Sequence, residues 1–395
     1  MPYNLSISLA NWEYVYEPGQ ELEGFVSFEL RETIKVKAIK VQAEGLATTK
    51  WLLSESSKSS HGRSREVSYS AKVSYMNEEQ ILWKPSEGHA KSSIFPGIHV
   101  FPFKFSIPKD IPPSFEGDHG KIRYVIRVTV ERPWKTNRTL LKYVYIVPPK
   151  NLNLLQNITN ETMSLKSKKV GFFLFRYGRV NLRIRIPKKG YVPGETICVE
   201  MEIENHSSRQ VLKAECYLIQ QCRFLAYRYG MGGNSMTGIE NEETDIDSSR
   251  KRDETKIATC LQDLNLSPRS NYNSKLRLTI PCCCPNFDSS LIHVDYFIGV
   301  KLHVKCRFRN SLKAECPIII GSVPINDETI DPRTPTFGEV TVFSQLTQRS
   351  IMSVDEKITP KYVFYPKFGK SRELDKPPSL DGLQLPPIDD EDDSF

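Results

Sequence analysis

No cysteine occurs before Cys198, although the chain of 395 residues holds nine. A disulfide framework would not leave the first half empty and crowd every thiol into the second, so reduced thiols are expected. No run of about 20 apolar residues is present to span a bilayer. The N-terminal MPYNLSISLANWEY lacks a basic segment leading into an apolar stretch, so no secretory leader is expected and the chain is expected to be cytoplasmic. HExxH and GxSxG are absent, and the seven histidines are scattered. Gly230, Gly232 and Gly233 head a polar insertion that ends without the Lys-Ser/Thr of a phosphate loop. The acidic NEETD (241–245) lacks the alternating ligands and glycine of a calcium loop. Neither an enzyme nor a cofactor site is expected. Charge of one sign is scarce as well. The balance of 54 basic and 47 acidic residues leaves +7, and the two signs are interspersed, which excludes a nucleic-acid-binding surface.

Helical periodicity is also rare, and alternation takes its place. Leu5/Ile7/Leu9, Phe101/Phe103/Phe105/Ile107, Val180/Leu182/Ile184/Ile186 and Leu276/Leu278/Ile280 each place every second side chain on one face. Pro, Gly, Asn and Ser bound these runs at the spacing of antiparallel strands. In IKVKAIKVQAEG (34–45) the apolar phase slips by one residue between Ala38 and Ile39. That slip predicts a bulge, because otherwise the second half of the strand would turn its apolar side to water.

The chain also repeats itself. YEPGQELEGFVSFEL (16–30) returns as YVPGETICVEMEIEN (191–205), pairing Tyr16 with Tyr191 and Gly19 with Gly194. PFKFSIPKDIPPSF (102–115) matches KLRLTIPCCCPNF (275–287), and IRYVIRVTV (122–130) matches VDYFIGVKLHV (294–304) with Tyr124 opposite Tyr296. Polar insertions fall at equivalent places, 54–65 and 230–256. Matched blocks in the same order predict two copies of one domain. Several one-faced strands per copy predict two packed sheets in each. The fold class is all-β: two tandem immunoglobulin-like antiparallel β-sandwiches over 1–150 and 179–324, a linker over 151–178, and a mostly disordered tail over 325–395. The tail is polar and Pro-punctuated and buries too little apolar surface to offset the entropy of ordering.

The phrases YEPGQELEG (16–24), FPGIHVFPFKFSIPKDIPPSFEGDHGKIRYVIRVTVERP (95–133), KKGYVPGE (188–195) and IIIGSVP (318–324) resemble the α-arrestin, or arrestin-domain-containing, family. They run in family order across almost all of residues 1–324. The resemblance implies two arrestin-like sandwiches and a non-enzymatic cytosolic adaptor. Such an adaptor binds the cytoplasmic segments of membrane receptors or transporters and assists endocytic or endosomal sorting. It associates peripherally with plasma membrane and endosomes, and often brings a ubiquitin ligase. Here the chain departs from the pattern, because no PPxY motif is present. TPTFGEV (334–340) occupies the place where relatives carry one, leaving Pro335 and Phe337 as a degenerate WW-docking candidate. Thr334 stands for the first proline, and Phe337 lacks the tyrosine hydroxyl, a hydrogen bond worth about 0.5–1.5 kcal/mol. Two other readings carry the same fold: a retromer-subunit-like coat component, and a thioredoxin-binding redox regulator acting through Cys260.

Two local features admit alternatives. Cys282, Cys283 and Cys284, flanked by Pro281 and Pro285, read as a loop of small buried thiols, as S-palmitoylation sites, or as metal ligands without a CxxC pair. In the linker, Lys168, Lys169, Arg176 and Arg179 lie among Phe172, Phe173 and Phe175. Basic charge beside aromatics suits anionic lipid, a peripheral membrane contact. Alternatively, the phenylalanines fill the seam between the sandwiches. The two insertions are the expected variable loops of a docking platform.

Overall fold

A computed structural model of the chain describes residues 3–56, 64–85, 93–172, 175–228, 248–306, 310–326, 335–339, 358–366 and 368. Among these residues the regular structure is β, apart from one 3-10 turn at Leu152–Leu154. The first copy opens with β1 (Tyr3–Leu9), β2 (Val15–Tyr16), β3 (Glu21–Leu30) and β4 (Ile34–Lys35). The long hairpin β5 (Ala38–Ser56) and β6 (Ser64–Trp83) follows, then β7 (Ser93–Ile94) and β8 (Gly97–Ser106). It closes with β9 (Phe115–Glu116), β10 (Gly120–Glu131) and β11 (Arg138–Ile146). The second copy runs β12 (Thr162–Phe172), β13 (Phe175–Ile186), β14 (Gly190–Tyr191), β15 (Thr196–Asn205) and β16 (Val211–Arg228). It continues with β17 (Ser248–Leu266), β18 (Ser270–Thr279), β19 (Phe287–Asp288), β20 (Ile292–Val304) and β21 (Asn310–Ile320). A last pair, β22 (Thr336–Glu339) and β23 (Lys361–Phe364), lies beyond both copies.

Each copy packs a short sheet on a long one. β1-β3-β8 faces β6-β5-β10-β11-β2 in the first, and β12-β13-β15-β18 faces β16-β20-β21-β14 in the second. The inward positions are the alternating ones: Leu22, Val26, Phe28 and Leu30 of β3 are buried, as are Ile197, Val199, Met201 and Ile203 of β15. In β5, Ala38 and Ile39 are both buried, and the pairing with β6 shifts register between Ile39 and Lys40. The extra residue there, Leu82, lies on β6, while β5 pairs with β10 without a break from Ala38–Glu131 to Thr49–Gly120, so the bulge expected in β5 is absent and the phase slip falls at the first residue of the strand.

The duplication holds bond by bond. Tyr124 Oη donates to the Pro112 carbonyl at 2.7 Å, and Tyr296 Oη to the Cys284 carbonyl at 2.7 Å. The Ile146 amide donates to Ser114 Oγ at 2.9 Å, and the Ile320 amide to Asn286 Oδ1 at 2.7 Å. β2 joins β11 in parallel, as β14 joins β21. Gly19 and Gly194, at φ +85° and +97°, turn the chain in a region that favours glycine. Each then donates its amide to the end of the neighbouring strand, Ile107 O at 3.0 Å and Ile280 O at 2.9 Å.

Three expectations about extent change. β12 pairs with β13 from Thr162 to Phe172, so residues 162–172 of the stretch read as linker form an edge strand of the second sandwich. The seam-filling role read for Phe172, Phe173 and Phe175 falls on side chains that lie outside the described ones. Residues 248–256 of the second insertion are the start of β17, laddered to β16. Their charges on both faces hide the alternation, because this strand has β16 on one side only and stays open to water. Finally, Pro335–Glu339 and residues 358–366 within the tail are folded, with Tyr362 buried. Three aromatics in KYVFY supply the apolar area that the rest of that region lacks.

Candidate functional site

The two copies meet along a close seam. Tyr227 and Arg228 of β16 pair with Ser70 and Tyr69 of β6, which fuses the long sheets into one of 12 strands. Thr49 Oγ1 donates to the Leu225 carbonyl at 2.6 Å. Phe115 meets its repeat partner Phe287 edge-on, ring centroids 5.4 Å apart. A Cβ on Gly120 would stand 2.7 Å from Thr49 Cγ2 and 2.9 Å from Phe224 Cδ1, too close for any other residue at this position. His119 stacks edge-on against Phe224 and lies 3.4 Å from Asp253 Oδ1. Burial raises the Asp253 carboxyl above its ordinary range, against the pull of His119.

The pair β22–β23 straps this seam. Tyr362 Oη donates to the Ser114 carbonyl of the first sandwich at 2.7 Å, while the Tyr362 carbonyl lies 3.9 Å from Cys282 Sγ of the second. Lys361 Nζ reaches the Glu13 carbonyl at 3.3 Å. On the other side Tyr365 Oη donates to the Ser322 carbonyl at 2.8 Å, and its amide to the Pro193 carbonyl at 3.1 Å. Any Cβ on Gly194 would collide with the Tyr365 carbonyl. The strap thus holds both copies at once.

This geometry places the candidate residues. Cys282 is half-buried, while Cys283 and Cys284 are 3% and 1% exposed. Burial pushes the thiols up, Cys282 to about 11 and Cys284 to about 12. Cys284 Sγ also lies 3.3 Å from Gln220 Nε2 and from Tyr296 Oη. Acylation of Cys283 or Cys284 requires the strap and loop to open first. Among the described residues no three His, Cys, Asp or Glu side chains gather into a metal site.

Pro335 and Phe337 are exposed on the strap, and Phe337 pairs with Val363. A WW groove reads a free polyproline II segment, whereas this one is committed to a β-ladder. Lys168, Lys169 and Arg179 are exposed on the β12–β13 hairpin, where Lys169 pairs with Arg179 and Gly171 with Arg176. Lys168 Nζ donates to the Ser311 carbonyl at 3.0 Å. Cys260 is half-buried and paired with Cys216 across the β16–β17 ladder. Sequence reasoning missed Tyr362 and Tyr365. The available signal was the aromatic density of KYVFYPKF in an otherwise polar region.

The outer faces of the two short sheets occupy equivalent places and differ in chemistry. In the second copy Glu200 of β15 is held by Arg185 of β13 and by Lys275 of β18 at 2.9 Å, while Arg183 meets Glu202 at 2.7 Å. In the first copy Phe25 takes the place of Glu200, beside Ser8 of β1 and Pro102 of β8. Along β8 the outward residues Ile98 and Val100 are 72% and 55% exposed, where β18 has Asn271 and Asn273. Among the described residues β8 pairs with β3 alone. Ile107 bonds to the β3 side through Gln20, and the Lys104 carbonyl points the other way, to Gln80 Nε2. The alternation of the ladder therefore aims the amides and carbonyls of Ile98 and Val100 at the open edge.

Two sandwiches joined by a strapped seam, with chemistry confined to faces and edges, define a docking protein. Both halves are arrestin domains. Residues 5–153 match the arrestin (or S-antigen) N-terminal domain, and residues 176–325 the C-terminal domain. The chain belongs to the α-arrestin (arrestin domain-containing) family and is an arrestin-family adaptor. It is 28% identical over 311 residues to mouse arrestin domain-containing protein 4, covering 78% of this chain and 69% of the relative. The human counterpart is 29% identical over 313 residues, with 79% and 69% covered. Rat arrestin domain-containing protein 1 is 26% identical over 328 residues, with 82% and 66% covered. Among the described residues no helix is long and apolar enough to cross a membrane.

Proposed function

We propose that this chain is a cytoplasmic adaptor that binds intracellular segments of membrane receptors or transporters and assists their endocytic or endosomal sorting. Recognition, not catalysis, is its mechanism. The observation that supports this reading is the open β8 edge, whose outward side chains are apolar where the second copy is polar. An extended cargo segment with alternating apolar residues adds to β8 as a strand. Its main chain bonds the Ile98 and Val100 amides and carbonyls, and its side chains cover Val100 and Phe25. Pro102 has no amide to offer, so the added strand is short and affinity is modest. The missing PPxY and the folded state of Pro335–Glu339 favour sorting without direct WW docking through this segment; a ligase would be reached by another route.

Proximity labelling in living cells tests the reading. Wild type is expected to label receptors or transporters on their cytoplasmic sides at the plasma membrane and endosomes, and Val100→Glu is expected to lose most of that labelling. A stoichiometric coat partner in place of cargo, or labelling indifferent to Val100→Glu, refutes it.

A further inference from the structure

The end of the first sandwich farthest from the seam carries a second surface. β10 leaves the seam at Gly120 and ends at Glu131, the last of its 12 residues, about 36 Å away at 3.3 Å per residue. Three loops converge there: Lys37 donates its amide to the Glu131 carbonyl at 2.8 Å, Ile34 pairs with Ile94, and Leu30 pairs with Gly97. The turn from β10 to β11 presents Trp134 at 101% exposure and φ +59°. A non-glycine residue pays for that backbone region, and here the conformation holds an indole clear of the protein. Phe95 and Ile98, at 70% and 72% exposure, stand on the neighbouring loop and strand end. Lys35, Lys37, Lys135 and Arg138 are exposed around them. Among the described residues, the acidic ones of this end are Glu29, Glu32 and Glu131, the last already paired with Lys40 at 3.1 Å.

We propose that this tip is a bilayer-docking edge that inserts Trp134 and Phe95 among the headgroups of an anionic membrane while the surrounding lysines meet lipid phosphates and carboxylates. An exposed apolar cluster ringed by cations is the pattern of an interfacial anchor: aromatic rings settle at headgroup depth, and basic charge seeks the anionic leaflet. An extended peptide would want a groove or an open edge, and Trp134 offers a projecting knob instead. The site is separate from the β12–β13 hairpin, which belongs to the other sandwich. It stands apart from the cargo reading, because a vesicle contains no cargo.

Flotation of the full chain with phosphatidylcholine vesicles, with and without phosphatidylserine, tests the edge. Binding is expected only with phosphatidylserine and is expected to fall as salt rises. Lys35→Glu, Lys37→Glu and Lys135→Glu combined should weaken it by about a hundredfold or more, at roughly fivefold per charge removed. Trp134→Ala should weaken it by roughly tenfold. Since all four positions are exposed, unchanged melting confirms that the variants are folded. Brominated lipid should quench wild-type tryptophan fluorescence, and Trp134→Phe should lose most of that quenching. Equal binding to neutral vesicles, or full binding by both tip variants, overturns the proposal. So does binding that survives the tip changes but is lost in Lys168→Glu with Lys169→Glu, which would move the contact to the hairpin.

Discussion

Tyr124 and Tyr296 sit at the same place in the two sandwiches and do the same thing, each hydroxyl closing a Pro-rich loop. Phe25 and Glu200 also sit at the same place, yet one is an exposed aromatic and the other is clamped between Arg185 and Lys275. The first pair points inward and the second outward. Register is set by the buried face, where a slip of one residue would turn the apolar set to water. The outward positions carry no such constraint, so one copy can hold a charge lattice while the other exposes apolar side chains. Duplication has kept the scaffold and separated the surfaces.

The comparison breaks most visibly at the turn glycines. Gly19 and Gly194 share positive φ, so alanine at either carries backbone strain of about 1–2 kcal/mol. A Cβ on Gly19 meets only Lys109 Cγ at 3.4 Å, whereas one on Gly194 strikes the Tyr365 carbonyl. Gly194→Ala is therefore expected to lose more stability in urea than Gly19→Ala, and to expose the strap as well. Hydrogen exchange at Tyr362 and Tyr365 should accelerate in Gly194→Ala alone. Equal effects of the two changes would mean that the strap contributes nothing to holding the seam.

A smaller difference is expected at the corner tyrosines. Tyr124→Phe orphans the Pro112 carbonyl, and an orphaned buried group costs about 1–3 kcal/mol. Tyr296→Phe orphans the Cys284 carbonyl and also strips Gln220 Nε2 of its 2.7 Å partner, so it should fall at the upper end of that range and Tyr124→Phe at the lower. Denaturant midpoints at constant m-value measure both. Identical losses would show that the Gln220 contact adds nothing.

Most of the scaffold was legible because it is written in alternation and in repeated Pro-Gly turns, signals that survive in a single sequence. The phase slip at Ala38–Ile39 misled, because Ala38 opens the strand and the extra residue of the pair sits on β6. What could not be read were contacts made over long sequence distances. Tyr362 donates to Ser114 across 248 positions, and no local pattern reports such a bond. The first half of β17 was hidden because its charges sit on both faces of a strand open to water. The proposed docking edge was half legible: Ile98 and Val100 were visible as apolar residues, but only the register of β8 on β3 shows that they point outward. Cys282–Cys284 showed as odd, but the contact of Cys282 with Tyr362 is made across 80 positions and left no local pattern.

Reversing the outer-face chemistry should sharpen the comparison with little cost to stability. Phe25→Glu changes a surface position, where shifts usually stay within about 0.5 kcal/mol. It is expected to leave the unfolding midpoint nearly unchanged while reducing cargo labelling as Val100→Glu does. A large stability loss would place Phe25 in the core and remove it from the docking edge.

The smallest expected effect concerns a single pair of repeat positions, Gln20 and Glu195. Each side chain caps its own turn, Gln20 Oε1 accepting from the Glu17 amide at 3.1 Å and Glu195 Oε2 from the Val192 amide at 3.2 Å. Gln20 is exposed, whereas Glu195 is buried, and burial raises its carboxyl above the ordinary value despite Lys188 at 2.5 Å. A raised carboxyl contributes stability in its protonated form, fully present below the unfolded-state pKa and lost as pH rises through the folded one. Glu195→Gln makes the second turn like the first and removes this titration. Its stability relative to wild type should therefore increase as pH climbs from about 4 toward neutrality, in urea unfolding measured at each pH. Gln20→Glu, made in the exposed turn, should show no such trend. Parallel pH profiles for Glu195→Gln and wild type would mean that Lys188 fully offsets the burial of the carboxylate.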